Sequence, residues 1–148
     1  MRKYGILLIA AAAGSCTMAP PAPSPAQVAQ SQAKFTQLTA GKVAGAPMSC
    51  LPSFRSNDMI VIDDETIAFR NGPSQVYINH MQGGGCLNID GGRNALVTRI
   101  PGPNLCRGDI AQVVDTGARI PVGSCGPEKY ICTSTRAPAC ARIGAASA

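Results

Sequence analysis

The sequence predicts an all-β fold: a small, disulfide-stapled antiparallel meander, closed as a barrel or sandwich, after a disordered or weakly helical N-terminal tether. Three observations carry that expectation. Short apolar runs alternate from Asp58 onward, with Gly- and Pro-rich breakers between them. An even set of six cysteines lies downstream of an export-type leader. Finally, the interior is thin: 45% of the 148 residues count as hydrophobic, but 22 residues are Ala, aromatics make up 4% and Trp is absent. A compact body of roughly 85 residues gains only a narrow stability margin from burial alone. That excludes a large multi-domain enzyme with a deep cofactor cleft, and no cofactor is expected.

The N-terminus begins Met1-Arg2-Lys3-Tyr4-Gly5, continues as an apolar run from Ile6 to Gly14, and reaches Ser15-Cys16. A basic start, a short apolar stretch and small residues before a cleavage point make a secretory signal. The run is too short to span a bilayer of about 30 Å. Ala13-Gly14-Ser15 before Cys16 resembles the lipobox of bacterial lipoproteins, where the leader is cut just before the Cys and that Cys is acylated; Ala13 stands where the usual Leu would be. Residues 1–15 are thus expected to be the signal peptide and Cys16 the lipidation site, and Thr17 after it implies the outer membrane. Ordinary cleavage near Ala11–Ala13 or after Ala19 is the competing reading, giving a soluble periplasmic or secreted protein.

Residues 16–48 are expected to form the lipid-anchored Pro/Ala-rich tether. Thr17 to Pro25 favours extended polyproline geometry. Ala26 to Thr39 contains Val28, Phe35 and Leu38, enough for a weak amphipathic helix.

The β domain is placed at residues 49–133. Asp58–Ile62 and Thr66–Arg70 flank the acidic turn Asp63-Asp64-Glu65 and read as a hairpin, with Ile67 and Phe69 on one face and Thr66, Ala68 and Arg70 on the other. Gln75–Asn79, Leu96–Ile100, Ile110–Val114 and Lys129–Cys132 continue the series, separated by breakers such as Gly83-Gly84-Gly85 and Pro101-Gly102-Pro103-Asn104. Residues 134–148 form a C-terminal tail with an extra Cys.

Setting Cys16 aside leaves Cys50, Cys86, Cys106, Cys125, Cys132 and Cys140. No close pair of the zinc-ligand type occurs, and the only His is His80, so a metal site is not expected. Spacing does not choose among the 15 connectivities that six cysteines allow. The expected pairs are Cys86–Cys106, Cys50–Cys125 and Cys132–Cys140.

The ordered series Cys50, Asp63 to Arg70, Gln75 to Asn79 with Cys86 after it, Leu105 to Asp115, and Gly123-Ser124-Cys125 resembles a family of small exported proteobacterial proteins, domain-of-unknown-function family 6491. The resemblance covers about residues 50–131. It implies the fold and the compartment, and brings no established activity. The family has four such cysteines, so Cys132 and Cys140 are additions here.

The chemical candidates are thin. A Cys/His or Ser/His/Asp site would have to use His80, and no G-x-S-x-G elbow is present. Asp63, Asp64 and Glu65 are neighbours in one turn, whereas a glycosidase needs carboxyls facing each other. Asn88-Ile89-Asp90-Gly91-Gly92 resembles the start of a calcium loop, but Arg99 holds its twelfth position. Gly83-Gly84-Gly85 lacks the Gly-Lys-Ser/Thr of a phosphate loop. In Arg107-Gly108-Asp109 the carboxylate is expected to fix a turn after Cys106. Net charge is +5, and loss of Arg2 and Lys3 with the leader lowers it to +3, with no basic stripe or stacking aromatics for nucleic acid.

The expectation is a non-catalytic accessory or binding module of the periplasm and outer membrane. It would be held to the membrane through Cys16, with an envelope protein or glycan as partner and no nucleic acid. A small secreted hydrolase or redox protein, or an inhibitor of exported enzymes, is the alternative.

Overall fold

The computed structural model describes residues 22–52, 58–89, 92–100, 102, 104–136 and 140; the expected signal peptide, Cys16 and most of the C-terminal tail lie outside them. Among these residues a helix, α1 (Pro25–Thr39), precedes seven strands: β1 (Val43–Met48), β2 (Met59–Val61), β3 (Thr66–Asn71), β4 (Gln75–Gln82), β5 (Asn94–Thr98), β6 (Ala111–Asp115) and β7 (Ile120–Ser134). All pairings are antiparallel. Two three-stranded meanders, β2-β3-β4 and β5-β6-β7, join where β7 lies beside β4, giving the order β2-β3-β4-β7-β6-β5 with β1 added along β7. The sheet curls into a half-barrel stapled by disulfides, so the expected fold class holds.

β7 does the joining. Its first part, Ile120 to Cys125, pairs with β6, and Gly126 to Ser134 pairs with β4. Only Lys129–Cys132 of this strand was expected; Pro121, Gly123, Gly126 and Pro127 interrupt the strand pattern before it. Both prolines sit where the register shifts, Pro121 opposite Val114 and Pro127 opposite Met81. A bulge is the place where a strand tolerates a residue with no N–H to give.

The boundary expected between tether and domain at residue 49 is corrected. β1 pairs with β7 from Val43↔Ser134 to Met48↔Tyr130, with Pro47 beside a register shift. Gly45 is obligatory in this strand: a Cβ there would lie 2.7 Å from the Cβ of Cys140. The bridge to Cys140 therefore passes over β1 at the one residue without a side chain. The tail beyond residue 133 is likewise tied back at Cys140.

α1 is also part of the fold. Ser24 and Gln27 form a reciprocal capping box, with the Ser24 hydroxyl accepting from Gln27 N at 3.3 Å and Gln27 Oε1 accepting from Ser24 N at 2.8 Å. At the other end Lys42 Nζ and Thr39 Oγ1 donate to the carbonyls of Leu38 and Phe35. Leu38 and Phe35 pack on the outer face of the sheet with Ile60, Ile62, Ala68, Val76 and Ile78. The Ser31 hydroxyl adds a 3.0 Å hydrogen bond to the Ile62 carbonyl. The face of β3 that carries Ala68 is therefore covered, which is why both faces of that strand are buried.

The larger core lies inside the curl. It gathers Leu51, Ile67, Phe69, Tyr77, Met81, Leu105, Val113 and Tyr130 together with the bridged Cys86, Cys125, Cys132 and Cys140, with Phe69 and Tyr130 in a tilted ring contact of 5.9 Å between centroids.

The disulfides are Cys50–Cys106, Cys86–Cys125 and Cys132–Cys140. The third is as expected; the first two correct the expected Cys86–Cys106 and Cys50–Cys125. The reason lies in strand neighbours. Ser49 to Leu51 runs antiparallel beside Leu105 to Arg107, through Leu51 N to Leu105 O and Arg107 N to Ser49 O, so Cys50 and Cys106 face each other directly. Cys86 follows the end of β4, where Gln82 pairs with Gly126, and so reaches Cys125.

Candidate functional site

Each chemical candidate from the sequence has a definite place. His80 is on β4, exposed, with Nδ1 3.5 Å from the Thr66 hydroxyl. The six cysteines of the described residues are all bridged.

The acidic turn between β2 and β3 is a structural clamp. Asp63 Oδ1 accepts from Glu65 N, Asp64 Oδ1 accepts from Ile89 N at 3.1 Å, the Asp64 carbonyl accepts from Cys86 N at 2.6 Å, and the Glu65 carbonyl accepts from Met81 N. Asp64 thus holds the segment after the glycine loop against the hairpin, Glu65 ties the turn to β4, and Asp63 shapes the turn itself.

Asp109 does what the sequence implies. Its Oδ2 accepts from Cys106 N at 2.6 Å and its own N–H returns to the Cys106 carbonyl, closing a turn through Gly108. Asn88, in the left-handed region, accepts from Asn94 Nδ2 at its carbonyl; Asp90 and Gly91 lie outside the described residues. Among the described residues no three His, Cys, Asp or Glu side chains converge as metal ligands.

Two recesses flank the β3–β4 turn. One, of about 250 Å³, opens at that end of the half-barrel, with Leu51 and Phe69 as floor and Asp58, Arg70, Asn71 and Tyr77 as polar wall. The second, of about 350 Å³, lies between the end of α1 and the turn, between Lys42 and Arg70. Asn71 Nδ2 donates to Gln75 Oε1 at 2.9 Å across the turn. The wall groups can hydrogen-bond a small polar molecule.

Burial governs the two phenols of the domain. Burial raises the Tyr130 phenol well above its ordinary value, and the Asp109 charge adds to this. Burial also raises the Tyr77 phenol above its ordinary value, opposed by the nearby Asn71 side chain. A phenol that ionises later in the folded chain leaves stability unchanged at lower pH. Above about pH 10 the unfolded chain releases protons that the folded one keeps, so stability falls. An alkaline unfolding transition, followed by phenolate absorbance together with circular dichroism, should begin above that pH, and Tyr130→Phe should move it upward. The Tyr130 hydroxyl has no hydrogen-bond partner among the described residues, so this substitution leaves no polar atom stranded.

A surface that the sequence reading did not single out lies on the β5-β6-β7 wing. Val97, Ile110, Ile120 and Val122 are each exposed there, by 42 to 65%. Placing the strand at Leu96–Ile100 instead of Asn94–Thr98 hid the alternation that would have revealed this surface: Arg93, Ala95, Val97 and Arg99 are all exposed. Asp115, at the end of β6, is held below the ordinary carboxylate range by the N–H groups of Ala118 and Gly117, with a smaller contribution from Arg93.

Comparisons with protein-family models, curated proteins and solved structures return no match. Three disulfides are consistent with an exported protein. No helix of the described residues is long and apolar enough to cross a membrane.

Proposed function

We propose that this protein is a lipid-anchored, non-catalytic accessory or binding module of the cell envelope, held at the outer membrane through Cys16 and facing the periplasm. The observation that carries the reading is the closure of the domain by three disulfides, two of which involve core cysteines. Such a domain suits an oxidising compartment, and the leader and Cys16 supply the route there.

The same bridges support kinship with the small exported family that the sequence resembles. The four cysteines of the resemblance pair among themselves, and the two additional ones pair with each other. An added bridge of this kind leaves the shared framework intact.

The test is the intact mass of membrane-extracted protein before and after reduction, followed by cross-linking in intact envelopes. The expected result is an acylated chain beginning at Cys16, a gain of six hydrogens on reduction, and recovery of a specific envelope partner. A chain with free thiols and no acyl group, or one that recovers no specific protein or glycan, overturns the reading.

A further inference from the structure

We propose that β5 is the docking edge of this module, receiving an extended segment of a partner protein as a further strand. On the face it shares with the outer side of β5, that segment carries two carboxylates six residues apart with small apolar residues between them. The proposal rests on the binding-module reading and names the surface and chemistry of its partner.

The first observation is the state of the sheet edges. An edge strand offers unpaired N–H and C=O groups, and proteins usually blunt it with proline, a bulge, a charge or shortness. β2 is three residues long, and β1 carries Pro47 beside a register shift. β5 has neither proline nor bulge, and its charges, Arg93 and Arg99, stand just outside the strand. Asn94 to Thr98 contains no proline and no charge, and it pairs with β6 without a break from Asn94↔Asp115 to Thr98↔Ala111. It has one strand neighbour, and among the described residues no backbone hydrogen bond outside that ladder involves residues 94–98.

The second observation is the side-chain pattern. Leu96 and Ile100 pack inward on the core. The alternate positions Arg93, Ala95, Val97 and Arg99 are exposed, so two guanidinium groups, about 20 Å apart along an extended strand, bracket two small apolar residues. The exposed Val122 and Ile110 extend this apolar surface across the wing. Asp115 lies near Arg93, but its Oδ1 already accepts from Gly117 N and Ala118 N at 2.8 Å each.

The charges choose the occupant. A second copy pairing antiparallel about Leu96 would set Arg93 against Arg99 twice, and a parallel copy would set each arginine beside its own equivalent; like charges placed across strands destabilise. A strand with opposite charges at the same spacing converts both contacts into ion pairs. The open backbone edge requires amide groups from the partner, which an extended polypeptide supplies.

The probe is a labelled nine-residue peptide of alternating threonine and valine with glutamates at its second and eighth positions, titrated by fluorescence anisotropy into the oxidised full chain. The expected result is saturable binding, with amide exchange slowed at residues 94–98. The R93E/R99E variant, whose changes are on exposed side chains, should bind roughly tenfold more weakly, on the scale of two exposed ion pairs. It should also gain affinity for the same peptide with lysines in place of the glutamates. The assignment is overturned by absence of binding, by equal binding to R93E/R99E, by protection elsewhere in the sheet, by self-association through β5, or by capture on phosphatidylglycerol vesicles in place of the peptide. Envelope cross-linking separates this failure from that of the underlying reading. An unchanged set of partners for R93E/R99E removes β5 and leaves the module, whereas no partner for the unsubstituted chain removes the module itself.

Discussion

Replacing Cys86 and Cys125 together by alanine is expected to destabilise the domain by about 4 kcal/mol, the chain-entropy value for a loop of this length. The bridge spans 39 residues and joins the segment after β4 to β7 at the point where β7 passes from β6 to β4. Both sulfurs belong to the inner core, as do those of Cys132 and Cys140, so removal of either pair also leaves unfilled space there. A domain of this size has a net stability of about 5–15 kcal/mol, and the melting temperature should fall by about 20 °C. The Cys132–Cys140 bridge closes a loop of only 8 residues, so the C132A/C140A variant should lose about 2.5 kcal/mol. Thermal melts of the two double variants check the order. Equal losses would show that loop closure in the unfolded chain does not set the contribution of these bridges. Full reduction should unfold the domain, because the bridges' summed contribution is comparable with the whole stability.

The cysteine count was legible because an even set in an exported chain is a compositional fact; the pairing was not. Which sulfurs meet depends on Ser49–Leu51 lying beside Leu105–Arg107, a contact between segments 56 residues apart that no local pattern encodes. The strands from β2 to β6 were readable wherever β-branched residues alternated between turn signals, as at Thr66–Asn71 and Gln75–Gln82. β1 and the first part of β7 were not, since Gly45, Pro47, Pro121 and Pro127 look like breakers until a bulge or a crossing disulfide explains each one.

The helix is an instructive case. Its capping box, Ser24 to Gln27 with Pro25 at the first turn, stands in the sequence and sharpens the start of the weakly periodic run. Its role does not: Ala68, Val76 and Ile78 alternate as if toward solvent, and only α1 lying over them makes that face a second core. The candidate chemistry followed the same division. Asp109 was legible as a turn residue from Arg107-Gly108-Asp109 because the bond is local. The clamp made by Asp64 on Cys86 and Ile89 reaches more than 20 residues along the chain and was not.

That clamp leads to a second large effect. Gly85→Ala is expected to cost about 3–4 kcal/mol, near the upper end for single substitutions. Gly85 is buried at φ +85°, in the left-handed region that disfavours a side chain. A Cβ there would run into the Asp64 carbonyl and lie 3.1 Å from the Glu65 Cα. Neither obstacle can swing aside, since both are backbone, and the Asp64 carbonyl is the acceptor for Cys86 N. Moving apart would break that bond and the one from Ile89 N, and would draw Cys86 away from Cys125. Gly84→Ala supplies the control. Its φ of +87° is nearly the same, but nothing lies within 4 Å of the added carbon, so only the conformational cost of about 1 kcal/mol applies. Urea midpoints of the two variants, measured on fully oxidised protein, isolate the contact from the dihedral angle. If the two midpoints coincide, the acidic turn is not packed against the glycine loop as tightly as this structure has it. If Gly85→Ala alone also slows formation of the Cys86–Cys125 bridge during oxidative refolding, the clamp acts before that bond closes, holding Cys86 where β7 will deliver its partner.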